Sequence, residues 1–410
     1  MKCCLIGETL KHSLSKQLHN KMGGYSYELV EVAKGELGQF VKSNKFDAYN
    51  VTIPYKSEII PLLDDLSKTA LDIGAVNTVV CKEGRLTGYN TDYYGMKYMI
   101  CSSKFVFDGK TVMVLGSGAT SKTAVYVAKS LGAKKILVVS RKGAINYDNC
   151  YNFSPDYIIN TTPVGTFPNQ DESAVDISKF TNLLGVVDVV YNPLKTKLLF
   201  QAEQLNVKNV GGLKMLVAQA KYARDLFING EVNFVDEDDK IEKLYLDLIK
   251  EQQNIVLIGM AGCGKSTIGK VLASILNKEF VDTDQLVEIK AGLSIPEIFE
   301  KFGEEKFREI EREVVNEVSL KRNSVIATGG GVVVNPNNKF SLKCSAKVVW
   351  IKRDLDKLAI VGRPLYNKQD SKIKLYKERE NLYNDFADII VSNDDNINDT
   401  VKKVVKLCGY

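Results

Sequence analysis

The run Gly259-Met260-Ala261-Gly262-Cys263-Gly264-Lys265-Ser266 has the spacing GxxxxGK[ST], the pattern of a loop that cradles nucleotide phosphates. It follows the apolar run 254–258 and precedes a helical run from Ile268 to Leu276, the setting that the pattern requires. Peptide N–H groups of Gly262, Cys263 and Gly264 and of the helix start at Ser266 and Thr267 would face phosphate oxygens. Lys265 would neutralise the transferred group and Ser266 would face magnesium. A second turn, Gly116-Ser117-Gly118-Ala119-Thr120-Ser121, stands between the strand-like run 111–115 and a helix, as a dinucleotide phosphate turn does. Alone this turn is also compatible with an ordinary strand-to-helix loop. Further on, a second apolar run ends in Ser140-Arg141-Lys142. An NAD site places an acid there for the ribose hydroxyls, whereas two cations suit the extra phosphate of NADP, so NADPH is expected. A basic loop without a ligand is the bland alternative.

The acid–base chemistry has few possible carriers. Only two histidines occur, His12 and His19, and no Cys or carboxylate cluster accompanies them, which argues against zinc and leaves proton transfer to Lys or Asp. Eight cysteines are scattered with no CxxC pair, as in a protein of the reducing cytoplasm. Net charge is +5, from 55 Lys+Arg against 50 Asp+Glu, without the concentrated basic stripe that nucleic acid requires, so small anionic ligands are expected instead. The opening residues 1–8 contain too short an apolar run for a signal peptide, and no stretch reaches membrane-spanning length.

At 410 residues, and with about 150 residues per domain as a guide, the chain should hold two or three domains. Apolar runs 111–115, 135–139 and 186–190 alternate with helical stretches such as 122–131, which predicts a parallel α/β architecture. A second set, 254–258, 278–282, 324–328 and 346–350, predicts another α/β unit. Between them an acidic patch, 236–239, is followed by Ile241, Leu244, Tyr245 and Leu248 at the spacing of an amphipathic helix, which places the boundary near Glu251. No repeat relates the halves.

Several further motifs in the second half resemble shikimate kinase, over residues 252 to 410: Val281-Asp282-Thr283-Asp284, Phe307-Arg308-Glu309-Ile310-Glu311, Ala327-Thr328-Gly329-Gly330-Gly331, Gly362-Arg363-Pro364-Leu365 and Arg379-Glu380-Asn381-Leu382-Tyr383. The resemblance implies that Asp282 supports magnesium with Ser266, that Asp284 touches the hydroxyl to be phosphorylated, that Arg308, Gly330 and Arg379 contact shikimate, and that Arg363 folds over the nucleotide phosphates. Two guanidinium groups suit a substrate carboxylate.

The first half resembles shikimate dehydrogenase over about residues 3 to 245. The matching runs are His12-Ser13-Leu14-Ser15 with His19-Asn20, Asn50-Val51-Thr52-Ile53-Pro54-Tyr55-Lys56, Gly74-Ala75-Val76-Asn77-Thr78 and Gly88-Tyr89-Asn90-Thr91-Asp92-Tyr93-Tyr94-Gly95. Later runs are Asn160 to Gly165, Val190-Tyr191-Asn192-Pro193 and Met215 to Gln219. Lys16 replaces the family's proline and Ala119 one of its glycines, so the first turn is expected to be looser. The resemblance implies that Lys56 and Asp92 form the catalytic pair and that Ser13 and Ser15 bind the substrate carboxylate. It further implies that Asn50, Thr52, Asn77, Tyr191 and Gln219 hold the rest of the substrate. Gly116, Ser117, Gly118, Ala119, Thr120, Ser140, Arg141 and Lys142 are the expected NADPH contacts.

The implied fold is α/β: a two-lobed dehydrogenase with a Rossmann-type NADP domain, then a P-loop domain like that of the nucleoside-monophosphate kinases. Residues 1–250 form the dehydrogenase, with a substrate lobe of about 1–100 plus 213–250 and a cofactor lobe of about 101–212, and 251–410 form the kinase. The expected activity is NADPH-dependent reduction of 3-dehydroshikimate, followed by ATP- and magnesium-dependent phosphorylation of shikimate, in the cytoplasm. The alternatives are a quinate/shikimate dehydrogenase fused to a kinase of another small polyol, and a non-catalytic sensor of shikimate. Intact Lys56, Asp92, Lys265 and Asp284 weigh against the sensor.

Overall fold

Short runs rich in β-branched and aromatic residues, broken by Gly, Asn and Asp, make the strands of this chain. The computed structural model describes residues 1–10, 13–233, 238–358, 369–394 and 396–410. These divide into two units, Met1–Leu246 and Asp247–Tyr410.

The first unit contains two sheets. One is built from β1 (Lys2–Gly7), β2 (Ser26–Glu31), β3 (Ala48–Val51), β4 (Asp65–Leu66), β5 (Thr78–Lys82) and β6 (Arg85–Tyr89) in the order β2-β1-β3-β5-β6-β4. It is mixed, because β5 runs antiparallel to both β3 and β6. The other holds β7 (Thr111–Leu115), β8 (Lys135–Val139), β9 (Tyr157–Asn160), β10 (Gly185–Asp188) and β11 (Lys208–Val210) in the order β11-β10-β9-β7-β8, with every pairing parallel. The chain leaves β7 for β8 on one side and returns to β9 on the other. That reversal opens a crevice at the carboxyl end of β7, where ligands bind in sheets of this kind.

The second unit has one parallel sheet of β12 (Asn254–Ile258), β13 (Glu279–Asp282), β14 (Ser324–Ala327), β15 (Ala346–Lys352) and β16 (Ile389–Ser392), in the order β13-β14-β12-β15-β16. β12 and β14 are buried at every residue, as a strand covered on both faces must be.

Several boundaries differ from the sequence reading. β10 stops at Asp188 rather than Val190, because the Asp188 carboxylate accepts the Val190 N–H at 3.0 Å and turns the chain out of the sheet. The helices after the two glycine-rich turns begin at Ala119 and Lys265, several residues earlier than their apolar patterns, because the turns deliver the chain directly into the helix. The two units part between Leu246 and Asp247, inside the helix Asp238–Gln252 and a few residues before Glu251. That helix is continuous, so composition offers no break there. Among the described residues no helix is long and apolar enough to cross a membrane.

Candidate active sites

Asp92 lies in the first turn of the helix Thr91–Ser102, where a carboxylate meets the positive end of the helix. Asn90 fixes that turn: its Oδ1 accepts the Tyr93 N–H at 3.0 Å, while its amide donates to the Ala75 carbonyl at 2.9 Å. Lys56 follows β3 and its Nζ lies 2.6 Å from Asp92 Oδ2. Both side chains are largely buried, which strengthens their attraction compared with a surface pair. The other carboxylate oxygen accepts from Asn77 Nδ2 at 2.9 Å, and the same amide donates to Gln219 Oε1 at 3.0 Å.

This chain of polar groups forms one wall of a cavity of about 380 Å³. Ser13, Ser15, Asn50, Thr52, Lys56, Asn77, Asp92, Tyr191 and Gln219 all line it, together with Thr120 from the glycine-rich turn. Asn50 reaches it with its side chain already engaged: Oδ1 accepts from Tyr27, and the amide donates to Asn77 O and Thr78 Oγ1. It braces its neighbours. Lys16 is exposed in the first turn of Ser15–Met22, and the helix forms without the proline. Ser13 Oγ accepts the Ser15 N–H at 3.2 Å. His12 lies outside the described residues.

His19, not assigned a role from the sequence, also lines this cavity. Burial pushes its pKa down to about 3, its Nδ1 is 2.5 Å from the Tyr25 hydroxyl, and it stacks on Tyr27 at 3.9 Å. It is therefore a neutral wall of the cavity. Its position in the run with Asn20 was the only signal for it.

Gly116 and Ser140 leave the carboxyl ends of the paired strands β7 and β8, and the Gly116 N–H donates to the Val139 carbonyl at 2.8 Å. Gly116 has φ 111, and a Cβ there would come within 2.7 Å of Thr161 Oγ1, so the turn needs glycine. At Gly118 no side chain caps the helix Ala119–Ser130, and an added Cβ would meet nothing within 4 Å. The helix N-terminus is thus open to an anion. Arg141 and Lys142 are exposed in the turn after β8, and no acid occupies the end of that strand. These groups fit a phosphorylated dinucleotide.

In the second unit the loop after β12 carries Gly262 at φ 87 and Gly264 at φ 100, and opens the helix Lys265–Leu276 without a side-chain cap. Lys265 Nζ donates to the carbonyls of Gly259 and Met260, at 2.8 and 3.0 Å. Ser266 Oγ donates to Asp282 Oδ2 at 2.7 Å, while Asp282 Oδ1 caps the next helix through the Asp284 N–H at 3.1 Å. A hydroxyl and a carboxylate are hard oxygen donors of the kind magnesium takes, with water and phosphate completing its shell. Cys263 is buried and contributes backbone to the loop, and Thr267 is exposed on the helix.

The glycine triplet sits against this loop, since a Cβ on Gly330 would lie 2.8 Å from the Ala261 nitrogen. Arg379 Nη1 and the Tyr383 hydroxyl both donate to the Gly330 carbonyl, the former at 3.2 Å. Arg308 donates to Glu311 at 2.7 Å and to Glu304 at 2.9 Å, and its guanidinium lies so near Gly331 that a Cβ there would be 2.3 Å away. A Cβ on Gly329 would lie 2.6 Å from Asp284 Oδ1 and 2.9 Å from Glu311 Oε1. Asp284, Arg308, Gly330 and Arg379 therefore converge next to the phosphate loop. Arg363 lies outside the described residues.

Glu311, Tyr383 and Asn393 carried no assignment from the sequence. Glu311 is one helical turn beyond Arg308, the spacing that sets two side chains on one face. Burial pushes its carboxyl above the ordinary range, with Arg308 opposing, and its Oε1 has no hydrogen-bond partner among the described residues. Tyr383 was visible as part of the run beginning at Arg379. Asn393, which holds the Cys263 carbonyl at 2.8 Å, follows an edge strand and gave no signal.

Comparison with known proteins matches these units to two families. A model of the shikimate dehydrogenase substrate binding domain matches residues 5–79, and a model of shikimate kinase matches residues 261–408. A shikimate dehydrogenase (NADP(+)) of Clostridium beijerinckii is 38% identical over 244 residues, which is 54% of this chain and 90% of that protein. One from Clostridium perfringens is 37% identical over 262 residues, 58% of this chain and 97% of the relative. Among solved structures, a chorismate mutase/shikimate 5-dehydrogenase fusion protein from Clostridium acetobutylicum is 35% identical with a TM-score of 0.57, covering 61% of this chain and 98% of that one. With a shikimate kinase domain following, the chain belongs to the shikimate dehydrogenase family and is a bifunctional enzyme of the shikimate pathway.

Proposed function

We propose that the first unit reduces 3-dehydroshikimate at the cavity around Lys56 and Asp92, and that the second phosphorylates the resulting shikimate beside Gly264. The observation that carries this reading is the 2.6 Å contact of Lys56 with Asp92 inside a hollow lined by hydroxyl and amide groups. We assign residues 1–250 to the dehydrogenase and 251–410 to the kinase, with 1–100 and 213–250 as substrate lobe and 101–212 as cofactor lobe.

When bound, NADPH supplies the hydride. Lys56 donates a proton to the carbonyl oxygen as negative charge develops on it, and Asp92 holds the ammonium group at the right place. Ser13 and Ser15 donate to the substrate carboxylate, and Thr52, Asn77 and Gln219 bind ring hydroxyls with Tyr191 beside them. A site that pairs its polar groups with substrate hydroxyls rejects analogues lacking them. Asn50 acts through Asn77. The open helix start at Ala119 receives phosphate, and Arg141 and Lys142 favour NADPH over NADH.

In the kinase, ATP with magnesium supplies the phosphoryl group when bound. Ser266 and Asp282 hold the metal and Lys265 neutralises the moving charge. Arg308 and Arg379 grip the carboxylate of shikimate, Gly330 allows its close approach, and Asp284 orients the attacking hydroxyl. Arg363 is assigned to the nucleotide phosphates. We place the protein in the cytoplasm, in keeping with eight scattered cysteines that include no CxxC pair.

The test supplies purified full-length protein with 3-dehydroshikimate and either NADPH or NADH, then with ATP and magnesium. NADPH oxidation well ahead of NADH, followed by ADP release, is expected. Binding of the ligands with neither cofactor consumed overturns the reading.

A further inference from the structure

The helix Thr91–Ser102 has a second functional face. Its first turn carries Asp92 into the catalytic cavity, while Tyr94, Lys97 and Tyr98 line a separate cleft of about 620 Å³, a size typical of small-molecule sites. Tyr222 completes the wall from the helix Leu213–Asn229, which also carries Gln219 on its cavity side. Four of the eight residues around this cleft are tyrosines and a single one, Lys97, is charged. The rings are set at angles: Tyr93 meets Tyr94 edge-on at 5.1 Å, and Tyr94 meets Tyr222 tilted at 5.7 Å. Lys97 Nζ stands 5.8 Å from the centre of the Tyr93 ring.

We infer that this cleft binds a monocyclic aromatic carboxylate and that its occupancy alters substrate binding in the dehydrogenase. Tilted tyrosine edges and faces match the preferred geometries for a guest ring. The one cation among the residues around the cleft supplies a partner for one negative charge. A saturated acid would forgo the ring contacts and a neutral aromatic would forgo the ion pair.

Coupling follows from how the two helices cross. A Cβ on Gly95 would lie 2.7 Å from the Met215 carbonyl and 2.8 Å from Gln219 Cβ, so the helices touch backbone to backbone between the catalytic cavity and the cleft. A guest that parts Tyr94 from Tyr222 on one side of this crossing moves Asp92 relative to Gln219 on the other. Asn77 bridges those two side chains, so the substrate wall shifts with them.

The test titrates 4-hydroxybenzoate into the full-length protein by calorimetry, with shikimate and NADP+ saturating. Binding with a Kd of about 1 mM or tighter is expected, with cyclohexanecarboxylate and 4-hydroxybenzyl alcohol about tenfold weaker or worse. Lys97→Met should weaken the aromatic acid about tenfold while leaving the activities of both units without it unchanged. In turnover assays the acid should raise KM for 3-dehydroshikimate in the wild type and not in Lys97→Met, with KM of the kinase for shikimate as the internal control. No saturable binding, an apparent Kd that rises without limit as shikimate is increased, insensitivity to Lys97→Met, or binding that leaves KM unchanged each overturns the inference. The KM arm rests on the proposed dehydrogenase activity and the calorimetric arm does not, so a failure of one is distinguishable from a failure of the other.

Discussion

The two active sites hold their cations in different ways. In the dehydrogenase Lys56 already contacts Asp92, inside a cavity that also contains the amide and hydroxyl groups assigned to the substrate. In the kinase Lys265 donates to the carbonyls of its own loop, and Arg308 is held by Glu304 and Glu311. The first site is assembled before its substrate arrives. The second must exchange protein partners for phosphate and carboxylate oxygens, so part of its binding energy goes into reorganisation. A reaction that moves one proton and one hydride is served by a preformed pair. One that gathers phosphate charge and excludes water is served by groups that change partners as the site closes.

Substitution of the two lysines breaks this comparison most severely. Lys56→Ala should lower dehydrogenase kcat by about a thousandfold and leave phosphorylation intact. Lys265→Ala should lower kinase kcat by about a hundredfold or more and leave reduction intact. Steady-state assays of both activities on each variant check this. Loss of both in either variant, with unchanged circular dichroism, would contradict independent sites. Gly331→Ala probes the kinase more gently, because its methyl group would collide with the Arg308 guanidinium. KM for shikimate should rise about tenfold, the order expected for disturbing one charged hydrogen bond, with KM for ATP nearly unchanged.

A further expected effect concerns stability rather than turnover, a pH dependence within the dehydrogenase unit. Burial raises the Asp188 pKa from 3.8 to about 6, although Thr196, Val190 and Asn160 all donate to it. Between those values the folded chain retains a proton that the unfolded chain has released. Stability is therefore greatest at low pH in this window and declines as pH rises through 6, by at most about 3 kcal/mol. Asp188→Asn should flatten the slope of urea midpoint against pH over about pH 4 to 6, and an unchanged slope would assign it to other groups.

Much of this arrangement was legible in the sequence because glycine-rich turns join a strand to a helix with fixed spacing. Gly262 to Ser266 and Gly116 to Thr120 each lie between a strand and a helix, as their patterns require. What escaped depends on tertiary packing. Asn50 belongs to a matching motif, yet its hydrogen bonds go to Tyr27, Asn77 and Thr78, which pattern alone could not distinguish from substrate contacts. Glu311 stands in a quoted motif, but only its burial beside Gly329 marks it as part of the site. The early end of β10 depends on a side-chain hydrogen bond that an unbroken apolar run conceals.

The central claim is that both sites act on the same ring acid in sequence, and a rescue experiment tests it directly. Full-length Lys56→Ala, given 3-dehydroshikimate, NADPH, ATP and magnesium, should form phosphorylated product about a thousandfold more slowly than the wild type until shikimate itself is added. Phosphorylation should then proceed at the wild-type rate. Failure of added shikimate to restore ADP release, or phosphorylation of 3-dehydroshikimate without reduction, would contradict the account.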